Sequence, residues 1–113
     1  MIAALMDSRA WVRTFATTCL ALGLAASAQA SEALARQKAC LACHQVNKAV
    51  LGPSFSDIAK KYKGDKKAAD QLALKVRKGG GGVWSMPMGP MPAQGQVSEA
   101  EARQLVAWIL ATK

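Results

Sequence analysis

The sequence predicts an all-α protein: one small domain of about four helices at residues 31–113, behind a cleaved secretion signal at residues 1–30. Three observations carry this. Apolar residues recur at helical spacing in stretches that open near Ser or Pro and close at Gly. Alanine and lysine are abundant and β-branched runs are few, which argues against a barrel or sandwich. Only 83 residues remain after the leader, enough for one core and short of what such a core needs without a staple.

The leader comes first. Arg9 and Arg13 precede an uncharged stretch from Thr14 to Ala30, whose apolar part, from about Phe15 to Ala26, is too short to span a bilayer comfortably. Ala28-Gln29-Ala30 puts small residues three before and one before the cut, so Ser31 is the expected mature N-terminus. The competing reading is an uncleaved anchor helix. Met6 is an alternative start, and Cys19 leaves with the leader.

Four helical segments follow. Glu32 to about Ala39 leads straight into Cys40. A second runs from Ser54 or Ser56, after Pro53, to Lys63; it sets Phe55, Ile58, Ala59 and Tyr62 at helical spacing and stops at Gly64. The third, from about Lys67 to Lys78, puts Ala69, Leu72, Ala73 and Val76 on one face and stops at Gly79. In the fourth, Ser98 and Glu101 form a capping box, and Ala102, Leu105, Val106, Ile109 and Leu110 make an apolar stripe down to Thr112. Between the helices lie a loop from Gln45 to Gly52 and a longer one from Gly79 to Val97. The second carries Gly79 to Gly82 and Met86, Met88 and Met91, set among Pro87, Pro90 and Pro92. A structureless loop of that length in so small a domain is a functional one, wrapped around something.

Cys40-Leu41-Ala42-Cys43-His44 is the C-x-x-C-H arrangement of covalent c-type haem attachment. Two thiols one helical turn apart can each form a thioether with one vinyl group on a haem edge, and the adjacent histidine is then presented to the iron. Thioethers also consume both thiols, which suits an oxidising compartment. A zinc site would want four ligands and finds three here. A thioredoxin-like dithiol expects a βαβ setting that is missing, and a plain disulfide leaves His44 without a purpose. His44 is the chain's one histidine, so the candidates for a sixth iron ligand are Met86, Met88 and Met91. Their prolines stiffen the loop and leave a sulfur little entropy to lose on binding.

These residues resemble the small bacterial class I cytochromes c of the c551/c552 type, also called c8. The resemblance runs through the whole mature chain, in order: Cys40-x-x-Cys43-His44, Val50-Leu51-Gly52-Pro53, a lysine-rich helix, a helix ending in glycine, Val83-Trp84, a Pro-Met-Pro turn, and a last helix with Ala107-Trp108-Ile109-Leu110. It implies one covalent haem c, thioethers at Cys40 and Cys43, His44 as proximal ligand, and Pro53 as carbonyl acceptor for the ligand imidazole. It also implies Trp84 beside a haem propionate, Lys75 as a cationic partner of that group, and Gln94 near the methionine ligand. The ligand loop departs from the family pattern. Family members set the axial methionine about five residues after the tryptophan, whereas Met91 is seven after Trp84 and Met88 four. Pro90-Met91-Pro92 fits the family turn best, which makes Met91 the expected ligand and Met88 the alternative; a small insertion between Trp84 and Pro90 reconciles the counts.

The whole chain has a formal charge of +8, and residues 31–113 hold 13 basic against 6 acidic side chains, a net +7. Lys60, Lys61, Lys63, Lys66 and Lys67 form a basic run, with Lys75, Arg77 and Lys78 soon after. With few aromatics and an export signal, nucleic acid is a poor candidate partner. A basic surface around a haem edge would instead steer a carrier toward acidic patches on redox proteins. Gly79 to Gly82 lacks the Lys-Ser/Thr of a phosphate loop and is expected to stop a helix and bring backbone close to the porphyrin.

The expectation is therefore a periplasmic monohaem electron carrier and not an enzyme, with the macrocycle packed among Phe55, Ile58, Leu72, Val76, Leu105 and Ile109. Its partners would be acidic-surfaced redox proteins such as a terminal oxidase, nitrite reductase, peroxidase or bc1-type donor, with no nucleic acid and no stable membrane insertion once the leader is cut. The alternative is a haem enzyme or gas sensor with an open or labile sixth position. The stiff methionine loop and the want of a second histidine or an acid–base pair argue against it.

Overall fold

A computed structural model of the chain describes residues 27–113. The chain divides into two units, Met1–Ala30 and Ser31–Lys113. Residues 27–30 are helical and exposed; the charged and apolar parts of the leader, with Met6 and Cys19, lie outside the described residues. Among the described residues no helix is long and apolar enough to cross a membrane.

The second unit is helical. α1 occupies residues 31–37. It does not run into the cysteine motif as the sequence suggests: Ala39 takes a left-handed conformation, φ 61°, and a 310 turn, Cys40–Ala42, follows. The amides of Cys43 and His44 both donate to the Cys40 carbonyl, at 3.2 and 2.9 Å, so the motif is one tight turn.

α2 spans Phe55–Lys61. Of the two serines that could open it, Ser54 is the cap, its hydroxyl accepting from the Asp57 amide at 3.1 Å. Ser56 lies inside, its hydroxyl 3.2 Å from that of Ser54. The helix closes at Tyr62, short of Lys63, and Gly64 turns the chain at φ 80°.

α3, Ala68–Lys78, buries Ala68 and Ala73 and half-buries Leu72 and Val76. Ala69, expected inside, is exposed: the buried ridge runs 68–72–76, and Ala69 lies about 100° round the helix from Ala68. α4, Glu99–Leu110, has both halves of its capping box, with 3.1 Å from the Glu101 amide to the Ser98 hydroxyl and 3.0 Å from the Ser98 amide to the Glu101 carboxylate.

α4 packs against α3 and α2, with Ala102, Leu105 and Val106 fully inside. Around them Ala35 of α1, Ala73 of α3 and Val97 complete the core. Small residues at these contacts let the helices lie close. Phe55 meets Trp108 edge-on, ring centroids 5.4 Å apart, and so joins α2 to α4. Arg103 reaches Asp70 of α3 at 2.7 Å and Glu99 at 3.4 Å, both exposed and therefore worth little. The core is thus a layer on one side of α4. Phe55, Ile58, Leu72, Val76, Leu105 and Ile109 also face a cavity.

Candidate functional site

The cavity has a volume of about 680 Å³, within the range of cofactor sites. Its walls include the six apolar side chains expected to pack a macrocycle, together with Leu51, Tyr62, Val83 and Val106. The 310 turn supplies Cys40, Cys43 and His44, the next loop Gly52 and Pro53, and the long loop Trp84, Met86, Met88 and Met91.

His44 is held from three directions. Its Nδ1 lies 2.7 Å from the Pro53 carbonyl oxygen. A carbonyl can only accept, so Nδ1–H donates, and a neutral imidazole then keeps its lone pair on Nε2. The ring stacks on Phe55 at 5.4 Å and 19°. The third support is Gly52, absent from the expected site residues: a Cβ there would stand 2.5 Å from Cε1 and 2.9 Å from Nδ1 of the imidazole. The loop closes on this ring through an antiparallel bridge between His44 and Ala49 and a 2.8 Å bond from the Gly52 amide to the Cys43 carbonyl.

Cys40 and Cys43 are half-buried and unpaired, each available for a thioether. Burial, reinforced by Cys43, pushes the Cys40 thiol above its ordinary value against an opposing backbone hydrogen bond. Among the described residues no group of three or more His, Cys, Asp or Glu side chains is placed to hold a metal ion.

All three methionines line the cavity, but they are held differently. Met88 is 66% exposed, on a turn closed by a 3.0 Å bond from the Gly89 amide to the Met86 carbonyl. Met91 is half-buried and paired with Gly80 in an antiparallel bridge, its carbonyl accepting from the Gly80 amide at 2.8 Å. Gln94 does not spend its amide on a side chain of the site. It donates to the Pro92 carbonyl at 3.0 Å and accepts from Gln96 at 2.8 Å. Lys38, two residues before Cys40, donates to the Gln96 carbonyl at 3.0 Å and pairs with Glu101 at 3.3 Å. The cysteine turn and the methionine loop are thereby cross-linked, a tie between residues 58 apart that no local pattern signals.

Trp84 is half-buried in the cavity wall, with the Lys61 ammonium 5.6 Å from its ring centroid. Lys75 also lines the wall, its ammonium donating to the Gly81 carbonyl. Gly80, Gly81 and Gly82 border the cavity as the porphyrin reading expects.

A large apolar slot, two thiols on one tight turn, an imidazole whose Nδ1 is committed to a carbonyl, and thioether sulfurs on its wall fit a flat iron macrocycle. Together they define the covalent, c-type class of haem protein. The cytochrome c family model matches residues 28–113. Cytochrome c-552 of Hydrogenobacter thermophilus is 51% identical over 92 residues, covering 81% of this chain and 91% of the relative. Cytochrome c-552 of Nitrosomonas europaea is 46% identical over 104 residues, covering 92% and 97%. The crystal structure of the wild-type Nitrosomonas europaea protein superposes with a TM-score of 0.68 at 45% identity, covering 73% of this chain and 99% of that one. The chain belongs to the cytochrome c family, in its class I, c551/c552 type. It is accordingly an electron-transport protein with one covalently attached haem c.

Proposed function

We propose that the protein is a periplasmic monohaem carrier that passes single electrons between larger redox proteins and performs no chemistry on a substrate of its own. Its haem would be held by thioethers at Cys40 and Cys43, with His44 and Met91 as the residues that would ligate the iron. The observation that carries this reading is the pairing of His44, Nδ1 bound to the Pro53 carbonyl at 2.7 Å, with a backbone-anchored Met91 on one cavity. The haem supplies the reversible one-electron change at iron. The chain holds the imidazole's tautomer and orientation through Pro53, Phe55 and Gly52, and offers a soft sulfur that favours the ferrous state. Trp84 and Lys75 are assigned to the propionate side, where indole N–H and ammonium can donate to carboxylates. With haem bound, the apolar wall would limit water at the iron, which favours a higher potential, as a thioether ligand does.

Partners are read from charge. Glu32, Asp70, Glu99 and Glu101 are tied up in ion pairs, whereas Lys60, Lys63, Lys66, Lys67 and Lys78 are in none among the described residues. Such a surface speeds encounter with acidic-surfaced redox proteins, a terminal oxidase, nitrite reductase, peroxidase or bc1-type donor among them, without tight binding.

The test is the visible spectrum, oxidised and reduced, and the intact mass of the protein exported by cells that attach c-type haem. A mass of residues 31–113 plus one haem, sharp reduced bands and a methionine-to-ferric-iron charge-transfer band are expected. A haem protein lacking that band and binding carbon monoxide readily would be an enzyme or sensor instead.

A further inference from the structure

The C-terminus of α3 touches the methionine loop at a point where no side chain fits. Gly79 follows Lys78 with φ 66° and ψ −157°, a combination open in practice only to glycine. A Cβ there would lie 2.6 Å from the Ala93 nitrogen and 2.7 Å from the Pro92 carbonyl carbon, and closer still to the Met91 carbonyl oxygen. All three are backbone atoms, so a rotamer change cannot relieve the contact. On either side two hydrogen bonds hold the segments together: the Gly80 amide to the Met91 carbonyl at 2.8 Å, and the Gln94 amide to the Val76 carbonyl at 3.1 Å. The other glycines of the run meet no such obstacle. A Cβ on Gly81 would meet nothing within 4 Å, and at Gly80 and Gly82 the nearest atom is the flexible Lys75 ammonium.

We infer that Gly79 is a positioning residue for the iron's methionine ligand: the bare backbone at the end of α3 sets how far into the cavity the Met91 backbone lies, and so which thioether is presented. The inference rests on the Met91 assignment above. It gives the first glycine of the run a different task from the other three. Helix α3 is the rigid arm, Gly79 the point of contact, and the Gly80–Met91 bridge the fastening. Met88 lies on a turn without that fastening, 66% exposed.

The experiment compares haem-loaded Gly79→Ala, Gly64→Ala and Met91→Ala with the parent protein, reading the methionine–iron charge-transfer band, the reduction potential and unfolding by denaturant. Gly64 also has positive φ, 80°, but open space around its Cβ position, so Gly64→Ala introduces backbone strain without the contact. Gly79→Ala should lose most of the band and shift the potential downward as Met91→Ala does, while Gly64→Ala is destabilised with band and potential unchanged. A folded Gly79→Ala protein with the parent's band and potential overturns the inference. If instead Met91→Ala keeps the band, the ligand assignment fails and the inference falls with it. A second measurement needs no variant. In the parent holoprotein the Gly80 amide should exchange its hydrogen about tenfold or more slowly than the Gly82 amide, as a bonded donor does; equal rates with the band intact would also overturn it.

Discussion

A neutral imidazole has one donor and one acceptor, and at His44 the donor is already spent on the Pro53 carbonyl. What the ring can still do is offer Nε2 to a metal, and Gly52 and Phe55 hold the plane in which it does so. Gly52→Ala would drive a methyl into the imidazole at 2.5 Å. Either the ring tilts away from Pro53 or the loop shifts, at a cost of about 1–3 kcal/mol. Denaturant unfolding of the holoprotein should show that loss, and the yield of attached haem should fall. The methionines separate in the same way. Met91→Ala should abolish the charge-transfer band and lower the reduction potential, and Met88→Ala should leave both nearly intact; the reverse pattern would move the ligand to Met88. The Cys40, Cys43 and His44 spacing announces itself in the chain, since neighbours in sequence are neighbours in one turn. Gly52 and Gly79 do not, because what they avoid is a non-bonded atom brought there by the fold.

At the scale of the element, α4 shows how much a local rule can decide. Its capping box joins residues three apart and forms as the spacing requires. Ser98→Ala leaves the Glu101 amide without its acceptor and should cost about 1 kcal/mol in thermal or denaturant unfolding. The Ser98 amide, followed by Lys38, holds the Glu101 carboxyl below the usual carboxylate range. Its folded-state value therefore lies under its unfolded one. Its contribution is present above the unfolded pKa of about 4.3 and is lost as pH falls through the folded value. Glu101→Gln should flatten the acid limb of the stability–pH curve by that contribution and shift nothing near neutrality except a constant offset. The end of α1 and the inward face of α3 were not legible from periodicity. Ala39 adopts φ 61° because the chain must turn into the cysteine motif. Ala68 rather than Ala69 goes inside because α3 meets both α4 and the cavity, a divided face that a single-stripe pattern cannot resolve.

For the whole molecule the controlling fact is that much of the apolar wall of an 83-residue unit surrounds a cavity of about 680 Å³. So much apolar wall left to water is more than a domain of this size can offset, and the fold therefore depends on what fills the cavity. A Cys40→Ala, Cys43→Ala double variant, unable to attach haem, should lose most of its far-ultraviolet helical signal; retention of the native spectrum would show that the shell stands by itself. Charge acts at the same scale. Glu32, Asp70, Glu99 and Glu101 are held in ion pairs, while Lys60, Lys61, Lys63, Lys66 and Lys67 of α2 and the α2–α3 turn stand exposed and outnumber Asp57 and Asp65 there. Electron exchange with an acidic redox protein should slow as ionic strength rises toward 0.15 M, where the Debye length falls to about 8 Å. A rate indifferent to salt would remove charge steering from the account.

Spacing along the chain was enough for the helical class, the cap that starts α4, the cofactor implied by Cys40, Cys43 and His44, and six of the apolar residues of the cavity wall. Each depends on spacing within a turn or along one helix, where chain geometry fixes who meets whom. Helix packing settled which methionine is fastened, which glycines yield space to His44 and to the Met91 backbone, and how Lys38 ties the two halves of the site together. Those relations join segments tens of residues apart, and they exist only once helix packing has brought the segments within hydrogen-bond or van der Waals reach.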